Sequence, residues 1–424
     1  MKNARKKKVE SQEVAQVLLP ILGILATVKG ALYELVVSSG MSVLLAVLEQ
    51  EREKLCGVRY QHDAGRVASR AGYADGEVVL GGRRVSVKRP RVRSSEGKEI
   101  PLPSWEKFAA EDPLNARAVE QMVIGVATRK YARSLESAPI GMKSRGTSKS
   151  AVSRRFVAAT TEKLSSSLEG SLADLSLAAL MIDGLVCGEH TVLVALGIDE
   201  QGRKHVLGFQ EGATENATSC TGLLTGLVDR GLDTTRSVLV VIDGAKALAK
   251  SVRDVFGKRA LIQRCQVHKK RNVLDSLPER MRDSTGAILA TAYHCRDAKR
   301  ALDMLNKLAR QLERKHPSAA ASLREGLEET LTVLAFKLGD ALERTLATTN
   351  PIENLNSALR RVHRNVKRWQ GGTMVLRWIA AGVQEAAAGF RRLKGHAEMP
   401  KLVAALRDHD AGLDGVLASQ KKAA

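Results

Sequence analysis

The sequence predicts a multidomain α/β protein, in which a mixed-sheet core is interrupted by an all-helical insertion and preceded by helical segments. Three observations carry this. ALMIDGLVC, HTVLVALGI and KHVLGFQEG are short apolar runs joined by turn residues, the pattern of an antiparallel meander. SVLVVID and ALIQR then read as buried strands, each followed by a helical pattern. Finally, the stretch from about Leu277 to Arg344 has helical periodicity and no strand signal.

A chain of 424 residues has room for two or three domains, and 44% hydrophobic residues can build their cores. Lys and Arg number 67 against 46 Asp and Glu, and the resulting charge of +21 is spread along the chain. Such a balance suggests a polyanionic partner, nucleic acid being the commonest; the alternative is a basic protein kept soluble by its charge. The five cysteines include no C-x-x-C pair, which argues against a disulfide framework and a four-cysteine zinc site and fits a reducing cytoplasm. The longest apolar run, Val14 to Val28, is broken by Pro20 and followed by Lys29, shorter than the ~20 residues of a membrane span. No convincing cleavage site follows it, so MKNARKKKVE reads as a basic arm before a soluble helix.

Taken in order, residues 1–72 read as a helical module with that arm, its apolar period ending at Cys56-Gly57. Residues 73–114 read as a basic β-ribbon and linker, with a hairpin signal at Gly81-Gly82 and five arginines and two lysines between Arg83 and Lys98. Residues 115–170 suggest a helix-turn-helix-like DNA-binding region. There Ser148 would cap a second helix presenting Lys149, Ser150, Ser153, Arg154 and Arg155 to phosphates and base edges. Residues 171–276 form the first part of the core, whose three antiparallel strands followed by alternating helices and strands give a ribonuclease-H-like order. Residues 277–346 are the helical insertion, 347–395 the core's C-terminal helices, and 396–424 a short helix and tail. In TTNPIENLNSALRRVHRNVKRW, Asn350 can cap, Pro351 suits the first helical position, and the helix is expected to run on.

Asp183 lies mid-strand in LMIDGLV and Asp243 closes VLVVID, places where a carboxylate is costly unless its charge is offset. In the expected topology the first and fourth strands are parallel neighbours, which would bring the two aspartates together. A shared divalent cation relieves such repulsion, and hard oxygen ligands suit Mg²⁺ or Mn²⁺. The alternative is that each Asp merely marks a strand end or turn before Gly184 and Gly244. Glu353 is the third candidate, and it is also spaced to act as a capping-box acid for Asn350. Asn356, Ser357, Arg360, Arg364 and Lys367 follow it at three- and four-residue steps, flanked by Arg361 and Arg368, a face that could hold a metal and then track a phosphate backbone. In QRCQVHKKRNV, Cys265 and His268 offer half a zinc site, with Lys269, Lys270 and Arg271 beside them as DNA contacts; no standard spacing supplies the other half. A packed Cys265 with His268 near the carboxylates or DNA is the other reading.

With these residues assembled, the chain resembles the mutator-type family of bacterial insertion-sequence transposases in the DDE superfamily. MIDG, IDEQGRKHVLGF, LLTGLVDRGL, VVIDGAKAL, QRCQVHKKRNV and TTNPIENLNSALRRVHRNVKRW look like family motifs, in the family's order. The resemblance implies that Asp183, Asp243 and Glu353 are catalytic and metal-binding, and that Cys265 and His268 are the family's C-x-x-H signature. The separations are 243 − 183 = 60 and 353 − 243 = 110, the second accommodating the helical insertion. Phe256-Gly257 departs from a frequent Phe-Pro, and Gln266 from a frequent aromatic, neither at an expected ligand. Implied further are two Mg²⁺ or Mn²⁺ ions per site, cleavage and strand transfer of double-stranded transposon ends and target DNA, a homodimer on DNA, and a cytoplasmic, nucleoid-associated location. No membrane or small-molecule substrate is expected. Two other readings stay open: a related nuclease that cuts without joining, and a catalytically inactive transposase-derived DNA-binding regulator.

Overall fold

The computed structural model of the chain describes residues 38–61, 65–80, 83–110, 120–123, 125–126, 130–131, 144–146 and 148–423. It divides into two units, 1–156 and 157–424.

In the first unit a helix, α1 (38–56), ends at Gly57, whose φ of +76° stops helical propagation. The hairpin β1 (Ala68–Leu80) and β2 (Arg83–Ser94) follows, with Leu80 opposite Arg83 as the Gly81-Gly82 signal requires. Strand β1 begins inside the stretch read as helical to residue 72. Its first residues, Ala68, Ser69 and Ala71-Gly72, carry too little apolar contrast to show a period, and pairing with β2 decides their conformation. Short strands β3 (Glu99–Ile100) and β4 (Ser144–Gly146) also pair with β2. Between them lies α2 (Pro103–Ala110). Leu44, Leu48, Val78, Val85, Val92 and Leu102 form this unit's core. Of the expected helix-turn-helix, most of the first helix lies outside the described residues. The second is α3 (Lys149–Glu169), and the Ser148 hydroxyl accepts from Ala151 N–H at 3.2 Å, the expected cap.

The second unit is built on a mixed five-stranded sheet in the order β7-β6-β5-β8-β9. Strands β5 (Leu177–Cys187), β6 (His190–Asp199) and β7 (Lys204–Glu211) are the expected meander. Helix α4 (Ala217–Asp229), β8 (Val238–Ile242), α5 (Lys246–Phe256) and β9 (Ala260–Arg264) follow, with β8 parallel to both β5 and β9. Every residue of β8 is buried, as a central strand demands.

Side-chain alternation separates two cores. Leu180, Ile182, Val240 and Ile242 pack with Leu224, Leu227, Leu248 and Val252 of α4 and α5. Ala179, Met181, Leu239 and Val241 face the opposite layer, with Ile352, Leu355 and Leu359 of α12 (Asn350–His363), Val375 and Ile379 of α13 (Gly372–Ala388), and Met399 and Leu402 of α14 (Met399–Ala423). Between β9 and α12 come α6 (Gln266–Asp275), α7 (Glu279–Tyr293), α8 (Ala298–Glu313), α9 (Pro317–Arg324), α10 (Thr332–Ala335) and α11 (Asp340–Leu346). Leu289, Leu305, Leu308 and Leu323 are among the residues of a separate cluster there, and no strand interrupts it, as expected.

One expectation is corrected at the C-terminus. In place of the short helix and tail expected after Gly395, α14 runs for 25 residues and buries Met399, Leu402 and Leu406 against the sheet. Beyond that apolar stripe Asp410 accepts from Ser237 N–H at 3.0 Å and from its hydroxyl at 2.6 Å, and pairs with Arg259. These are tertiary contacts that helical periodicity alone does not display. Among the described residues no helix is long and apolar enough to cross a membrane.

Candidate active site

Strand register brings the two aspartates level. Strand β5 pairs with β8 as Ala179 with Leu239, Leu180 with Val240 and Met181 with Val241, an offset of 239 − 179 = 60. The same offset separates Asp183 from Asp243, each two residues past the last pair. Both share the parity of Met181 and Val241, so both face the layer that holds α12. Asp183 is half-buried; its Oδ1 accepts from Gly184 N–H at 2.8 Å and its Oδ2 from the Asn356 side-chain amide at 2.9 Å. Burial holds its carboxyl above the usual aspartate range against the Gly184 hydrogen bond, and the negative charges of Asp243 and Glu353 push the same way. The Asp243 carboxylate accepts from Ala245 N–H at 3.0 Å, across Gly244 with its φ of +116°.

Glu353 stands in the first turn of α12. The helix begins one residue earlier than expected: Thr349 is the N-cap residue and Asn350 lies inside, so no capping box links Asn350 to Glu353. The Glu353 carboxylate instead accepts from the Thr349 hydroxyl at 2.6 Å. Thr349 is fully buried, and its Oγ1 also lies 3.4 Å from both Cys265 Sγ and His268 Nδ1. His268 Nε2 is 4.0 Å from Glu353 Oε1. Burial pushes the Cys265 thiol up, but hydrogen bonds with His268 and Thr349 outweigh it and hold the thiol below its ordinary value. The bond with Cys265, opposed by burial and aided by the charges of Cys265, Glu353 and Asp243, raises His268. Among the described residues no three His, Cys, Asp or Glu side chains already converge closely enough to hold a metal ion.

A family profile for the Mutator family of transposases matches residues 25–392. The chain belongs to that family. The transposase of insertion sequence IS256 in transposon Tn4001 of Staphylococcus aureus is 27% identical over 355 residues, 80% of this chain and 87% of that protein. The ISRM5 transposase of Rhizobium meliloti is 27% identical over 366 residues, 85% and 90% of the two chains. The IS1081 transposase of Mycobacterium tuberculosis is 24% identical over 359 residues, 81% and 82%.

The remaining residues singled out in this transposase-family chain divide by exposure. Lys149, Ser153 and Arg154 are exposed on α3 and Arg155 is half-buried; Lys270 is half-buried and Arg271 exposed on α6. Arg360 is exposed on α12, which ends at His363, so Arg364 caps it and Lys367 and Arg368 lie beyond the helix, all three exposed. The single helical face expected through Lys367 is therefore cut short. Lys269 is a correction. Its side chain is buried and its ammonium donates to the carbonyls of Ser322 and Glu325, each at 2.6 Å, so it faces the insertion and not a phosphate. Burial holds it below the usual lysine range. Sequence reasoning named Asn356 only as part of the face that follows Glu353, and it assigned no role to Thr349; both are fully buried. The only available signal was their position, three residues after and four before Glu353, where a helix turns side chains to one side.

Proposed function

We propose that this chain is the DNA transposase of an insertion sequence, and that its second unit is a ribonuclease-H-like catalytic core in which Asp183, Asp243 and Glu353 are the catalytic acids. The observation that carries the reading is the shared level and facing of Asp183 on β5 and Asp243 immediately after the parallel strand β8, beneath the helix that bears Glu353. The family match and the sheet order with β5 and β8 adjacent support it.

The donor set fits divalent cations: three carboxylates offer hard oxygen ligands, and their mutual repulsion, felt at Asp183, is what a bound cation relieves. Two Mg²⁺ or Mn²⁺ ions held by these acids would supply water activation and charge stabilisation on the leaving oxygen. The chain's own residues do the positioning. Asn356 and Gly184 N–H orient the Asp183 carboxylate, Ala245 N–H orients that of Asp243, and Thr349 orients that of Glu353. Arg360, Arg364, Lys367, Arg368 and Arg271, all exposed, would neutralise phosphates, and Lys149, Ser153, Arg154 and Arg155 on α3 would read an element end. Hydrolysis at the element end frees a 3′-hydroxyl, which then attacks target DNA; neither transfer needs a covalent protein intermediate. A homodimer on DNA would hold two ends together.

The test is cleavage and strand transfer of labelled DNA carrying the element end, with Mg²⁺, Mn²⁺ or chelator, for the parent and for Asp183→Ala, Asp243→Ala and Glu353→Ala. The parent is expected to cut and join only with metal, and each variant to bind the end yet do neither. Variants that react like the parent refute the acid assignment. A parent that binds without cutting is a DNA-binding regulator, and one that cuts any end without joining is a nuclease.

A further inference from the structure

We infer that the Cys265–His268 pair is not half of a zinc site but a positioning device, acting through the buried Thr349 hydroxyl to hold the carboxylate of Glu353. The inference rests on the reading of Glu353 as a catalytic acid.

Thr349 has one hydroxyl proton and three polar neighbours. Two acceptors lie within reach of it, and Glu353 Oε1, at 2.6 Å and carrying the negative charge, takes that proton in preference to Cys265 Sγ at 3.4 Å; His268 Nδ1, also at 3.4 Å, faces the oxygen's lone pairs. His268 then donates from Nδ1, and its Nε2 edge flanks Glu353 Oε1 at 4.0 Å. The backbone anchors the same device at both ends. Cys265 N–H donates to the carbonyl of Ile242, immediately before Asp243, at 2.8 Å, and Gln266 N–H donates to Ala347, two residues before Thr349, at 3.0 Å. The C-x-x-H segment therefore spans from the strand end that carries Asp243 to the helix start that carries Glu353. The three-residue step from Cys265 to His268 is what lets both side chains reach one hydroxyl: Cys265 is the N-cap residue of α6 and His268 lies about one turn along.

A zinc site needs more protein ligands than these two, and both side chains turn instead to the Thr349 hydroxyl. Cys265 is fully buried with Thr349 over its sulfur, where it serves as a compact, weakly polar packing partner that leaves the hydroxyl's stronger bond to the carboxylate.

The experiment uses the full chain without DNA. Mn²⁺ binding is measured by electron paramagnetic resonance, with thermal unfolding and zinc content recorded for the same samples, on the parent, Glu353→Gln, Thr349→Val, Thr349→Ser, His268→Gln and Cys265→Ser. Thr349→Val and His268→Gln are expected to weaken Mn²⁺ binding about 10- to 100-fold, the usual effect of losing an outer partner of a ligand. Thr349→Ser, which keeps the hydroxyl, should restore parental affinity, an outcome that a purely structural role does not produce. Stoichiometric zinc in the parent that disappears in Cys265→Ser overturns the inference. So does Thr349→Val binding Mn²⁺ like the parent while Glu353→Gln binds it weakly, and that result leaves the acid assignment standing. If Glu353→Gln itself binds Mn²⁺ like the parent, the assignment of Glu353 falls and this inference falls with it.

Discussion

Replacing Lys269 by methionine separates a structural cation from a DNA-binding one. Lys269 is 5% exposed and its ammonium donates to two carbonyls, those of Ser322 at the end of α9 and Glu325 just past it. Each hydrogen bond from a charged donor is worth about 1.5–3 kcal/mol, so losing both costs about 3–6 kcal/mol before any compensation. Methionine keeps the apolar stem and removes the burial cost of the charge, the cost that already holds Lys269 below the usual lysine range, so a net loss of about 2–4 kcal/mol is expected. That corresponds to a fall in unfolding midpoint on the order of 5–15 °C for a unit of this size. The assay is thermal unfolding together with DNA affinity measured against salt, at a temperature where the variant is folded. Each phosphate contact contributes about 0.9 to the slope of log affinity against log salt. Lys269→Met is expected to leave that slope unchanged, while Arg364→Ala reduces it by about one contact. The reasoning is refuted if Lys269→Met melts with the parent and lowers the salt slope.

Two further substitutions probe the frame around the site. Asp410 is held below the usual aspartate range: burial opposes this, and the Ser237 hydrogen bonds and Arg259 outweigh it. A depressed folded-state value means that the carboxylate's stabilisation is present above the unfolded aspartate's range and is lost as pH falls through the folded one. The parent should therefore exceed Asp410→Asn in unfolding midpoint at neutral pH, the gap closing in acid; a gap that widens in acid would contradict the assignment. Gly326 has φ +59°, and a Cβ there would overlap the buried Arg264 guanidinium, which donates to the Gly244 carbonyl at 3.2 Å. Gly326→Ala is expected to cost about 1–3 kcal/mol and to lower cleavage, measured by unfolding and by the end-cutting assay; a parental midpoint would refute the clash.

Much of the second unit was legible because its strands are apolar, short and separated by turns. The meander, the fully buried β8 and the strandless insertion all follow from local pattern. Asp183 and Asp243 stood out because a carboxylate in or beside a buried strand conflicts with its surroundings. What stayed hidden depends on partners distant in sequence. The start of β1 is decided by β2, the length of α14 by the sheet and by Ser237, and the fate of Lys269 by carbonyls more than fifty residues away. Lys269 sat among cations that looked alike, and only the fold distinguishes it from Arg271. Thr349 was silent, and Asn356 showed only as one residue of the face after Glu353, since a small polar residue near a helix start has many ordinary uses.

The insertion is tied into the site by more than chain continuity. Arg264, at the end of β9, is 7% exposed and reaches in two directions. Its Nη1 donates to Gly244, the residue after Asp243, and its Nε to Glu329 in the insertion, beside Glu325 at 3.7 Å. A buried guanidinium needs both sets of partners, because losing one leaves charge without compensation. The insertion's two glutamates therefore help fix the backbone turn that presents Asp243, and Lys269 fixes the end of α9 one turn of α6 farther on. The helical stretch between Asp243 and Glu353 is thus joined to the turn after Asp243 by a buried guanidinium and not by chain continuity alone, and loss of Glu329 would loosen that turn without touching either carboxylate.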